Sequence, residues 1–109
     1  MDRLSGEINE DLPASAQRVE HSRQAAARAN PRLRAFTVLN PQPYRPRPGL
    51  PLDGLPIGVK DLYDTAGLET AYGSPIYKGH VPATSAALVD RLTELGAYVV
   101  GKTVTTEFA

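Results

Sequence analysis

Apolar positions come in separate groups along this chain, each with its own spacing. Leu12, Ala16, Val19 and Ala26 form a thin stripe, which predicts a helix over residues 12–29 that packs on one side only. Asp11 suits its N-cap, Pro13 its first turn, and the segment holds six alanines. Asn30-Pro31 predicts its end, because a proline pushes the preceding residue out of the helical region. Arg34–Leu39 (RAFTVL) has strand composition. Six of the ten prolines then fall between Pro41 and Pro56, a density that predicts an extended surface linker.

The pattern tightens after the linker. Pro56–Leu62 reads as a short strand with proline at its first residue, where the missing N–H is tolerated. Thr65–Tyr77 is irregular, punctuated by Gly67, Gly73 and Pro75. Thr84 suits the N-cap of a helix over Ser85–Leu95, with Leu88, Leu92 and Leu95 at helical spacing and Gly96 as terminator. Ala97–Val100 reads as a short buried strand. Strand, helix and apolar strand in that order predict an α/β fold with a parallel sheet and a crossover helix. The expected organisation is an N-terminal helical arm and first strand (1–40), a proline-rich linker (41–55) and an α/β core from residue 56 to residue 109.

Composition narrows the function classes. The 109 residues suffice for one small domain. Twelve basic and twelve acidic residues balance, which argues against nucleic-acid and membrane-surface partners. The balance is uneven: residues 12–47 carry seven arginines against Glu20 alone, and residues 51–109 carry four cations against seven acids. The plain reading of the first half is an arginine-rich exposed helix and loop. The absence of cysteine excludes disulfides, thiolate zinc sites and a Cys nucleophile. Met1–Glu10 holds no secretory apolar run, and no stretch approaches the ~20 apolar residues of a membrane helix. The cytoplasm is the default compartment.

One short motif matches and fails on context. Gly96–Thr103 fits G-x-x-x-x-G-K-[ST]. A phosphate-binding loop follows a strand and opens a helix. Here a helix precedes Gly96, the variable positions Ala-Tyr-Val-Val build a strand, and six residues follow Thr103. The structural reading has Gly96 ending a helix and Gly101 opening the turn after a strand. His21 and His80 lack metal-ligand spacing. Ser5, Ser15, Ser22, Ser74 and Ser85 lie outside any Gly-x-Ser-x-Gly elbow; Ser85 reads as a helix start and Ser74 as part of a turn. Asp61 and Asp64 do not converge as a glycosidase carboxylate pair does, and Asp64 reads as a turn residue. No cofactor or metal site emerges.

Lys60 is harder to dismiss. It follows Leu55-Pro56-Ile57-Gly58-Val59 and precedes Asp61-Leu62, in the most core-like run of the chain. Strand alternation puts Ile57, Val59 and Asp61 on one face and Gly58, Lys60 and Leu62 on the other. A lysine held in low dielectric sheds its proton more easily and becomes a base. The alternative is a lysine snorkelling from a strand end.

Gly54-Leu55-Pro56-Ile57-Gly58-Val59-Lys60-Asp61, Asp64-Thr65-Ala66-Gly67, Gly73-Ser74, Pro82, Ala86, Val89, Arg91-Leu92, Gly96-Ala97, Gly101-Lys102-Thr103 and Glu107-Phe108-Ala109 together resemble the opening third of the amidase signature family. The resemblance covers nearly the whole chain and is densest from about residue 52. It implies a mixed sheet flanked by helices and carboxamide hydrolysis through an acyl-enzyme, run by a Ser–cis-Ser–Lys arrangement on a small amide substrate. Lys60 matches the family's catalytic lysine, and Asp61 stands where it would orient that lysine from behind. Neither catalytic serine is matched in this chain, since the family's serine-rich signature lies beyond Glu-Phe-Ala. The 109 residues are therefore expected to be a piece of an amidase, inactive alone, with no cofactor and with a homodimer as one partner state. Two other readings stay open: the opening of an amidotransferase A-type subunit, and a non-catalytic module bound through the arginines of its arm.

Overall fold

The computed structural model describes residues 12–106. Its helix α1 spans Ala14–Leu33, strand β1 Phe36–Leu39, strand β2 Pro56–Lys60, helix α2 Ala87–Glu94 and strand β3 Tyr98–Thr103; a 3-10 turn covers Pro75–Tyr77. The sheet order is β1-β3-β2. β2 runs parallel to β3 with α2 in the crossover, and β1 is antiparallel to β3. The mixed α/β class implied by the resemblance is the one observed.

Two apolar clusters sandwich the sheet. Val19 of α1 packs with Tyr98 and Val100, joined by Ala26, Phe36, Leu39 and Tyr44. On the other face Val59 and Val99 meet Leu68 of the loop after β2 and Val89 of α2, joined by Ile57 and Val38. β3 lies between both neighbours and both layers, so Tyr98 through Lys102 are all buried. That position explains why its sequence is an apolar run with no alternation.

The element boundaries depart from expectation where tertiary bonds take over. α1 continues through Pro31 to Leu33. Pro31 removes only its own donor, and Asn30 works on both sides of it: the carbonyl accepts from Arg34 N at 2.7 Å, and the side-chain amide donates to Phe36 O at 3.1 Å while its Oδ1 accepts from Phe36 N at 2.8 Å. Arg34 closes the helix in the left-handed conformation (φ 53°), so β1 starts two residues later than its composition suggests. The expected cap, Asp11, lies outside the described residues; α1 starts with no side-chain cap.

α2 starts at Ala87, two residues after the expected Ser85, and Thr84 does not cap it. The reason is that the backbone there is bonded elsewhere. Ser85 Oγ accepts from Ala66 N at 2.8 Å, and Ala86 N donates to Asp64 O at 2.8 Å. Ser85 is therefore a tie to the loop after β2. Ser74 does serve its turn, accepting from Ile76 N.

β3 runs three residues past Val100, and Gly101 sits inside it, correcting the expected turn. A Cβ at Gly101 would stand 2.4 Å from Val38 O; the glycine is there because β1 crosses too closely for a side chain. Pairing on both edges carries the strand on to Thr103.

Residues 41–55 hold no helix or strand, yet they are tied down. Tyr44 donates to the Asp53 carboxylate and stacks edge-on against Tyr98 at 5.7 Å. Arg47 Nη1 donates to Thr93 O at 2.8 Å, and Leu52 N to Leu95 O at 2.9 Å. Proline density here removes backbone donors, and side chains together with the Leu52 N–H supply the anchorage.

Candidate active site

Lys60 is the last residue of β2 and is exposed. Its face is the one expected from alternation: Ile57 and Val59 point to the α2-side cluster and Asp61 is buried, 2 % exposed. The expected low-dielectric setting is not what the structure has. Among the described residues no hydrogen bond or ion pair engages the Lys60 ammonium. Its sequence neighbours are core, which suggests a core setting, but those neighbours face the other way.

The buried lysine is Lys102, at 0 % exposure. Its Nζ donates to Tyr63 O at 2.7 Å and to Thr70 Oγ1 at 2.8 Å. It also lies 3.4 Å from Asp61 Oδ1. Burial pushes its ammonium below the usual lysine range, and the Asp61 carboxylate opposes that shift. Asp61 Oδ2 accepts from Ala71 N at 3.2 Å, and Oδ1 has no hydrogen-bond partner, so the ammonium charge is what compensates it.

An irregularity in the sheet places Lys102 there. Ile57 pairs with Val99 and Gly58 with Gly101, so Val100 is an extra residue on β3. Val100 points to the α1-side cluster. Regular alternation would put Lys102 on that same side. The bulge resets the phase, and Lys102 pairs with Val59 on the opposite side, that of Val59, Leu68 and Val89, while Lys60 pairs with Thr103. Sequence reasoning missed Lys102. The available signal was its place two residues after Val99-Val100, the end of the run that reads as a buried strand.

The loop leaving β2 is built around these charges. Asp61 N donates to Thr103 O at 2.9 Å and Tyr72 N to Asp61 O at 3.0 Å. Tyr72 donates its hydroxyl to Asp64, and that bond, with some burial, raises the phenol to about 12. Asp64 is therefore a bonded loop anchor and not the expected turn residue; the turns lie on either side of it, at Asp61-Leu62 and Ala66-Gly67.

The remaining candidates are spread out. Ser15 is buried in α1 beside Gly54, and Ser22 lies further along α1. With Ser74 in the 3-10 turn and Ser85 on Ala66, no described serine is bonded to Lys60. His21 is exposed, and His80 stacks near Tyr72 and Tyr77. No cluster of three metal-ligating side chains occurs among the described residues, and no described helix is long and apolar enough to cross a membrane. The arm's arginines have internal work: Arg18 donates to Asp53 O, and Arg23 pairs with Glu20 at 3.6 Å and lies over the Tyr98 ring. Gly101-Lys102-Thr103, the end of the phosphate-loop match, is strand, buried through Lys102.

Known proteins resemble this chain in sequence and in fold. The Amidase family model matches residues 7–109. The chain is 48 % identical over 58 residues to the A-type subunit of the mitochondrial glutamyl-tRNA(Gln) amidotransferase of Canis lupus familiaris, a match over 53 % of this chain and 11 % of the relative. It is 32 % identical over its whole length to the corresponding amidotransferase subunit of Bdellovibrio bacteriovorus, of which it spans 24 %. The native peptide amidase of Stenotrophomonas maltophilia superposes with a TM-score of 0.73 at 31 % identity, covering 98 % of this chain and 24 % of that one. The chain thus spans about a quarter or less of the relatives it matches, and it belongs to the amidase family.

Proposed function

We propose that this chain supplies the lysine of a carboxamide-cleaving site, in a protein that converts a small amide to acid and ammonia through an acyl-enzyme. The observation that carries this reading is the place of Lys60, exposed at the carboxyl end of parallel strand β2. In open α/β sheets, ligands bind outside the carboxyl ends of the strands. Lys60 acts as general base: its amine takes a proton, relayed by a bridging serine, from a nucleophilic serine that bonds to the amide carbon. The C–N bond then breaks, the proton passes back to the departing ammonia, and water releases the acid. Neither serine is matched in residues 1–109, so these residues alone carry a base without its nucleophile. Asp61 supports Lys60 from the core side of the strand.

The test is ammonia release from simple carboxamides. The 109 residues alone should release none. In a chain extended past Ala109, Lys60→Ala should lower the rate by about 10²–10⁴-fold, the range of a positioned general base; activity near the parent would remove Lys60 from the mechanism.

The likeness to the A-type subunits of amidotransferases favours a second reading, in which the amide is that of glutamine and the ammonia is passed on to a glutamyl-tRNA. Release from simple carboxamides by the extended chain alone supports the hydrolase. Release only from glutamine, and only with further subunits and a glutamyl-tRNA present, supports the transferase.

A further inference from the structure

Lys102 is a buried charge with no part in the proton relay of Lys60. It lies one residue along β3 from the partner of Lys60, since Lys60 pairs with Thr103 and Lys102 with Val59. Its three contacts, Asp61, Tyr63 and Thr70, all lie in the loop that leaves β2 immediately after Lys60. We infer that Lys102 is a positioning residue for Lys60, holding the exit of β2 against the end of β3. The inference rests on the proposed role of Lys60.

A strand end at the edge of a sheet frays unless something beyond it is fixed. Among the described residues β2 pairs with β3 alone, and that ladder stops one residue past Lys60 at the bond from Asp61 N to Thr103 O. Beyond that bond the chain turns, with Tyr63 N donating to Lys60 O at 3.0 Å. The ammonium of Lys102 takes the carbonyl of Tyr63, closing this turn from the other side. Through Thr70 it reaches the returning limb of the loop, which Asp61 also holds by accepting from Ala71 N and Tyr72 N. One cation thus binds the outgoing and returning limbs to the strand beside Lys60. Its charge also faces Asp61, so the carboxylate next to Lys60 in sequence is compensated within the core. The other carboxylates of this loop are Asp64, bonded to Tyr72, and Glu69, bonded to Gly79 N. Neither contacts the ammonium directly.

The experiment uses the chain extended past Ala109 and three variants, Lys60→Ala, Lys102→Met and Thr70→Val, with kcat and KM measured well below the melting transition and amide hydrogen exchange followed in parallel. For Lys102→Met we expect kcat to fall about tenfold to a hundredfold, the scale of a small misplacement of a reacting group, with KM within about twofold. The amides of Ala71 and Tyr72 should exchange at least about tenfold faster. Thr70→Val, which keeps the volume and removes one acceptor, should move both readouts the same way by a smaller factor. Unchanged kcat in both variants while Lys60→Ala is inactive would overturn the inference and leave the proposed function intact. If Lys102→Met does not fold, Thr70→Val decides alone: an unchanged kcat overturns the inference. If Lys60→Ala keeps its activity, the proposed function falls and this inference with it.

Discussion

Two parallel strands end side by side, each near a lysine, and the two lysines could hardly be placed more differently. Lys60 on β2 is exposed and unbonded among the described residues; Lys102 on β3 is sealed and makes two hydrogen bonds and an ion pair. Their sequence surroundings are alike, Gly-Val-Lys-Asp against Val-Gly-Lys-Thr. What separates them is the face. In a strand, burial of a neighbour at i−1 says that the residue at i points the other way, so the burial of Val59 puts Lys60 on the opposite face of β2, where it is exposed. Lys102 escapes that rule through the bulge at Val100. A lysine on the open face is free for chemistry, and a lysine on the closed face must be paired or be very costly.

The contrast can be broken most strongly at Lys60. Lys60→Ala should lower activity in the extended chain by about 10²–10⁴-fold, yet change the unfolding free energy of the 109-residue chain, where Lys60 is exposed, by no more than about 0.5 kcal/mol, as for surface substitutions. Urea unfolding beside the ammonia assay reads both. Lys102→Met should do the reverse to stability, lowering it by about 3–5 kcal/mol because Asp61 is left as an unpaired buried charge. Asp61→Asn/Lys102→Met should recover part of that loss, and strict additivity of the two single changes would show that the pair is not coupled.

Gly101→Ala tests the strand crossing. Its new Cβ would meet Val38 O at 2.4 Å, and a thermal melt should show a loss of about 1–3 kcal/mol. The smallest effect is at alkaline pH. The folded-state phenol of Tyr72 is raised from 10.0 to about 12. Between those values the unfolded chain loses this proton first and the folded chain keeps it. Stability is therefore full below pH 10.0 and falls as pH rises towards about 12. Tyr72→Phe should flatten that decline; Tyr44 and Tyr98, also raised by burial, leave a residue of it.

Much of this was legible in the residues. The parallel pair with its crossover helix follows from Pro56–Leu62, the spacing of Leu88, Leu92 and Leu95, and Ala97–Val100. The alternation placing Ile57, Val59 and Asp61 together was also readable. What was not legible depends on contacts between distant segments. Pro31 stays helical because Asn30 binds Phe36 around it, and Ser85 starts no helix because Ala66 occupies it. The burial of Lys102 needs a register shift between two strands, which no single-strand pattern encodes. Local spacing reports a face only as long as the ladder stays regular.

Competitive amine labelling of this chain under native conditions, read by mass spectrometry at each lysine, distinguishes an exposed Lys60 from a sealed Lys102. Lys78 is exposed and serves as the internal reference. Lys60 should react at about the rate of Lys78, and Lys102 at least about a hundredfold more slowly, limited by opening of the core. Lys102 reacting as fast as Lys78, or Lys60 protected as strongly as Lys102, would contradict that placement of the two lysines.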